Sequence, residues 1–96
     1  MRKTATDWTI EFSPQARVEY RSLPVAVRRE VRKALPELRE DPRSPGTKPM
    51  QFGPRLHRKL YLPSGYRLIY IVSEPHRKIY IDRIRPHQAA YTGFSD

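Results

Sequence analysis

The sequence predicts an α+β fold. It reads as a small single domain, residues 1–96, with two N-terminal helices packed on one face of an antiparallel sheet of about four strands, in the order β-α-α-β-β-β. Three observations predict this. Residues 55–85 hold three runs dense in Ile, Leu, Val and Tyr, split by Pro63-Ser64-Gly65 and Glu74-Pro75-His76, the pattern of strands joined by tight turns. Residues 14–43 carry apolar side chains at helical spacing. A chain of 96 residues has the length of one compact unit, with one modest core.

Residues 1–7 and 92–96 are expected to fray. Residues 8–12 (WTIEF) alternate large apolar with polar side chains, the period of a half-buried strand. Ser13 is placed to cap a first helix and Pro14 suits its first position. Ala16, Tyr20 and Leu23 then form one apolar stripe, as far as Leu23-Pro24.

The second helix begins near Pro24. Val27, Val31, Ala34, Leu35 and Leu38 fit its apolar face, and Arg28, Arg29, Arg32 and Lys33 lie mostly away from it. Pro36 removes a backbone donor and clashes one turn back, so a kink or break is expected near Lys33. Asp41-Pro42 ends the helix, because the residue before proline disfavours helical geometry. Residues 44–54 (SPGTKPMQFGP) read as a loop. Strands follow over residues 56–62, 66–73 and 78–84, then a short tail.

Composition excludes several classes. There is no cysteine, so disulfides and thiolate metal sites are ruled out, and three scattered histidines make a weak ligand set. The chain is expected to be free of metal and cofactor. No apolar run approaches the roughly 20 residues of a membrane span, so a cytoplasmic protein without a membrane partner is expected. The net charge is +9, and residues 55–85 alone contribute +6. A sheet that forms the core thus also displays most of the positive charge. This suggests one packed face and one face open to an anion, with nucleic acid the leading partner.

In the strand after Gly65, alternation places Tyr66, Leu68, Tyr70 and Val72 on one face and Arg67, Ile69 and Ile71 on the other. An arginine on an otherwise apolar face needs an anion or an acid, since burying it unpaired is costly. Arg58, across the Pro63-Ser64-Gly65 turn, is expected to share that face. Lys59, Arg83, Arg85 and His57 are further candidates for contacts to RNA, and His87 and Tyr91 follow the last strand. A basic concavity with an imidazole and a phenol at its rim suits phosphodiester cleavage in RNA. The ribose 2′-hydroxyl attacks the adjacent phosphorus, and a base, an acid and cations suffice. An imidazole at His87 suits proton exchange near neutrality, arginine grips phosphate bidentately, and Tyr91 is expected to stack on a base, orient the scissile nucleotide or take part in proton transfer.

The sequence resembles the RelE/ParE superfamily of toxins from type II toxin–antitoxin systems. Gly65-Tyr66-Arg67-Leu68-Ile69-Tyr70 matches the family's Gly-Tyr-Arg-apolar-apolar-Tyr strand. Asp41-Pro42-Arg43 after the second helix and residues 84–91 also fit, so the likeness spans most of residues 8–91. It implies a RelE-like fold and, in the RelE branch, a ribosome-dependent endoribonuclease that cuts mRNA without a metal. On this resemblance the catalytic set is Arg58, Arg67, His87 and Tyr91, with Lys59 a further basic position. The chain departs from the pattern at Leu60, where relatives often carry a second cation, and at Arg85-Pro86-His87, where a Gly-His-Arg or Gly-Lys-Arg is common.

Two other readings share the fold. One is a ParE-like toxin that inhibits DNA gyrase without cutting RNA, and the other is a degenerate toxin that only binds its antitoxin. The basic-plus-His/Tyr set favours the ribonuclease. All three imply a cognate antitoxin, expected to lay an acidic amphipathic segment over the basic surface.

Overall fold

The computed structural model describes residues 8–52 and 54–86. Its elements are β1 (Thr9–Phe12), α1 (Pro14–Arg21), α2 (Val25–Glu40), β2 (Thr47–Phe52), β3 (Arg55–Tyr61), β4 (Tyr66–Ser73) and β5 (Lys78–Pro86). The strands form one sheet in the order β1-β5-β4-β3-β2. The α+β class and both helices match the sequence reading. Two features of the sheet differ from it.

First, there are five strands rather than four. Residues 47–52 of the expected loop form β2, which pairs antiparallel with β3 along its whole length. Pro49 had argued against a strand. It is tolerated because β2 is an edge strand, where a missing N–H need not break a ladder bond. Second, the sheet is mixed. β1 runs parallel to β5, from Thr9 opposite Lys78 to Phe12 opposite Ile81, whereas every other pairing is antiparallel.

The helix starts follow from local chemistry. The hydroxyl of Ser13 accepts the Ala16 N–H at 3.0 Å, with Pro14 in the first turn. Ser13 also donates to the Asp82 carbonyl at 3.0 Å, which ties the start of α1 to β5. The break expected near Lys33 is absent, and α2 runs unbroken through Pro36 for 16 residues. Val31, Ala34 and Leu38 flank that proline and are all buried, so packing on both sides offsets the missing hydrogen bond. After Glu40, the Asp41 carboxylate accepts the Arg43 N–H at 3.0 Å and turns the chain.

Ala16, Leu23, Val27, Val31, Ala34 and Leu38 of the helical region pack with Leu68, Tyr70, Ile79, Ile81 and Ile84 of the sheet in one core. The hydroxyl of Tyr70 donates to the Pro42 carbonyl across this core. The opposite face carries the alternate residues, because directly paired residues of antiparallel strands share a side. Tyr61 is paired with Arg67, Lys59 with Ile69, Ile69 with Arg83, and Met50 with His57. Ile69, Met50 and His57 on this far face lie outside the core that the helices pack against, and all three are buried.

Gly65 closes the β3–β4 turn at φ +98°, a conformation that L side chains rarely adopt. This is the physical reason for glycine in the Gly-Tyr-Arg strand start. No helix among the described residues is long and apolar enough to cross a membrane.

Candidate nucleic-acid interface

Arg67 is the centre of the far face. Its Nη1 donates to the Gly65 carbonyl at 2.7 Å and to the Tyr66 carbonyl at 3.3 Å. Its Cζ lies 4.0 Å from the centroid of the Tyr61 ring, a close cation–π contact. Its Nε is buried without a hydrogen-bond partner among the described residues. The group is therefore held in place by backbone and ring.

Two more cations approach the same ring. Lys48 Nζ is 5.7 Å and Lys59 Nζ 5.9 Å from the Tyr61 centroid. Arg83 extends the row, since it faces Ile69, the residue that faces Lys59. Among the described residues, no carboxylate lies within ion-pair distance of Lys48, Arg67 or Arg83. A cationic row around an aromatic ring is the chemistry of a single-stranded nucleic-acid surface, with charge for the backbone and a ring for stacking.

The candidates from the sequence divide sharply. Arg67, Lys59 and Arg83 stand together on the far face. Arg58 does not share it. Its cross-strand partner is Tyr70, so it points to the helix side, where its Nη2 donates to Thr47 Oγ1 at 2.8 Å. The expectation failed because the turn sets Tyr61, three residues from Arg58, opposite Arg67, and an odd spacing reverses the face. His57 is not a surface ligand for RNA. Only 2% of its side chain is exposed, and its Nε2 lies 3.2 Å from Asp82 Oδ2. Arg85 faces Arg67 in register, yet its Nε donates to Glu19 Oε2 of α1 at 2.7 Å, which commits it to that pair. His87 and Tyr91 lie outside the described residues.

Two residues of this row were missed. Lys48 was hidden in a Pro/Gly-rich stretch read as loop, and Tyr61 was not singled out within its strand. Counting back from Arg67 across the short turn gives the signal that was available for Tyr61. Among the described residues no group of three or more His, Cys, Asp or Glu side chains is placed to hold a metal ion.

Burial would raise the pKa of Glu19, but hydrogen bonds from Gln15, the Ile84 N–H and Arg85, together with the Arg85 charge, hold it below the usual carboxylate value. The Glu19–Arg85 pair thus anchors the far end of β5 to α1, at the end of the strand that faces Arg67.

This architecture, two helices on one side of a small mixed sheet and a basic far side, is that of toxins from toxin–antitoxin systems. The isolated RelE toxin of E. coli superposes with a TM-score of 0.71 at 30% identity, over 82% of this chain and 83% of that one. A variant of E. coli RelE in the free state gives a TM-score of 0.74 at 28% identity, covering 91% and 93% of the two chains. The toxin–antitoxin complex RelBE2 of Mycobacterium tuberculosis gives 0.71 at 22% identity, over 82% and 96%, which extends the likeness of fold. No family model matches the chain, and no curated protein does. The chain belongs to the RelE toxin family.

Proposed function

We propose that this RelE-family toxin is a metal-independent endoribonuclease that cuts mRNA, on the ribosome and in the cytoplasm, and that it is held inactive by a cognate antitoxin. One observation carries the reading: the helix-free face on which Arg67 is fixed against Tyr61, with Lys48, Lys59 and Arg83 beside it. Relatives of the same fold are complexes with RelB antitoxins, which supports the partner.

In this reading the RNA backbone crosses the cationic row and Arg67 bonds the non-bridging oxygens of the scissile phosphate. The negative charge that develops there meets a fixed guanidinium, which needs no reorganisation. The 2′-oxygen attacks phosphorus as its proton passes to the His87 imidazole. The P–O5′ bond breaks and the 5′-oxygen takes a proton from Tyr91. The products are a 2′,3′-cyclic phosphate and a 5′-hydroxyl, and solvent returns the proton from imidazolium to phenolate. The resemblance adds Arg58 to the set. Its guanidinium lies beside Thr47 and Tyr70, so Arg58→Ala is expected to cost stability as well as activity.

Primer extension on cellular mRNA after induction tests the reading. New 5′ ends inside translated codons are expected, and Arg67→Ala and His87→Ala should each abolish them while circular dichroism shows both variants folded. Intact message with accumulating gyrase-linked DNA breaks would overturn it.

A further inference from the structure

The far face contains one feature that a phosphate-binding surface does not need. Asp82 is the extra residue of a bulge in β5: Tyr70 pairs with Ile81 and Ile69 pairs with Arg83, which leaves Asp82 between them. Bulges re-aim side chains, and this one lets the adjacent Asp82 and Arg83 serve the same side of the sheet. The Asp82 side chain is 26% exposed and is held from behind by buried His57, at 3.2 Å.

In front of Asp82 is an open cavity of about 750 Å³, bounded by Arg55, Ile71, Tyr80 and His76. This is within the roughly 300–1,000 Å³ of small-ligand sites. His76 is itself fixed, with Nδ1 3.0 Å from Ser73 Oγ. The cavity continues the face of Arg67. Arg85, the partner of Arg67, is three residues beyond Asp82, or about 10 Å along the strand.

A carboxylate on this surface repels an RNA phosphate. What it accepts is an N–H donor, and in RNA those lie on base edges. We infer that this cavity is a nucleobase subsite for the RNA that crosses Arg67, with Asp82 the specificity residue and Tyr80 the stacking wall. The inference rests on the RNA reading above. Guanine presents two adjacent donors, N1–H and the N2 amino group, to the two oxygens of one carboxylate, a bidentate fit. Uracil presents a single N–H between two carbonyls and meets the carboxylate with repulsion. The subsite therefore selects guanine over uracil, and His57 acts as a positioning residue that fixes the carboxylate.

Equilibrium binding of two fluorescent RNA pentamers, UUGUU and UUUUU, to the full-length protein tests this without any cutting. The guanine pentamer is expected to bind about tenfold more tightly, as one bidentate pair commonly discriminates. Asp82→Asn should reduce the ratio to below about threefold. Should Asp82→Asn fail to fold by circular dichroism, Tyr80→Ala provides the second variant, weakening both pentamers while keeping the ratio. Equal binding of the two pentamers by the wild type, or an unchanged ratio in folded Asp82→Asn, overturns the subsite and leaves Asp82 only to hold His57. The two readings separate cleanly. Guanine preference in a protein that cuts no mRNA sinks the ribonuclease and keeps the subsite, whereas cutting with no base preference in binding does the reverse.

Discussion

The guanidinium carbon of Arg67 sits 4.0 Å from the centre of the Tyr61 ring, across the β3–β4 hairpin. The pair exists because the turn through Gly65 brings these two positions into register, facing away from the helices. A half-buried cation–π contact of this kind contributes about 1–2 kcal/mol. Tyr61→Leu is therefore expected to lower stability by about that amount and RNA cleavage with it, while Tyr61→Phe keeps most of both. Equal loss in both variants would point to the hydroxyl instead of the ring.

Gly65 makes the hairpin possible. An added Cβ would meet nothing within 4 Å, so the penalty for Gly65→Ala comes from φ +98° alone. That conformation costs an L residue about 1–2 kcal/mol. Urea unfolding should show a loss of this size with an unchanged slope; a larger loss would mean that the turn itself rearranges.

Tyr70 links stability to alkaline pH. Burial raises its pKa above the ordinary value of 10.0, against the lowering effect of hydrogen bonds with Thr47 and Arg58 and of nearby guanidinium charge. A raised folded-state pKa means that the neutral phenol's contribution is complete below pH 10 and is lost as pH rises through the folded value. Tyr70→Phe leaves the Pro42 carbonyl without its donor, and about 1–3 kcal/mol of stability should go at pH 8. The gap between the two proteins, measured in urea, should narrow by pH 11.

Glu19 works at the acid end. Its pKa is lowered, so its contribution is present above the unfolded value of about 4.5 and lost as pH falls through the folded one. It accepts the Ile84 N–H and Arg85 Nε, each at 2.7 Å. Glu19→Gln is expected to cost about 1–3 kcal/mol at pH 7 and much less at pH 3. A constant difference across that range would show that shape, not charge, matters at this position.

Much of the fold was legible because its signals were local. Ser13-Pro14 starts a helix through cap chemistry, and the stripe from Val27 to Leu38 is buried as its period required. β4 was placed residue for residue, bounded by Gly65 on one side and the Glu74-Pro75 turn on the other. β2 was not legible, because Pro49 vetoes a central strand and nothing local reveals that a strand is at an edge. The site was half legible. Alternation put Arg67 on the open face, but whether Arg58 joined it depended on a cross-turn register, where an error of one residue reverses every side chain. His57 could not be assigned from sequence, since its partner Asp82 is 25 residues away on another strand.

The parallel seam between β1 and β5 bears on how the molecule is made. Thr9 must wait for Lys78, so β1 has no partner until some seventy further residues have been synthesised. The nascent chain thus completes its sheet only once β5 has been made.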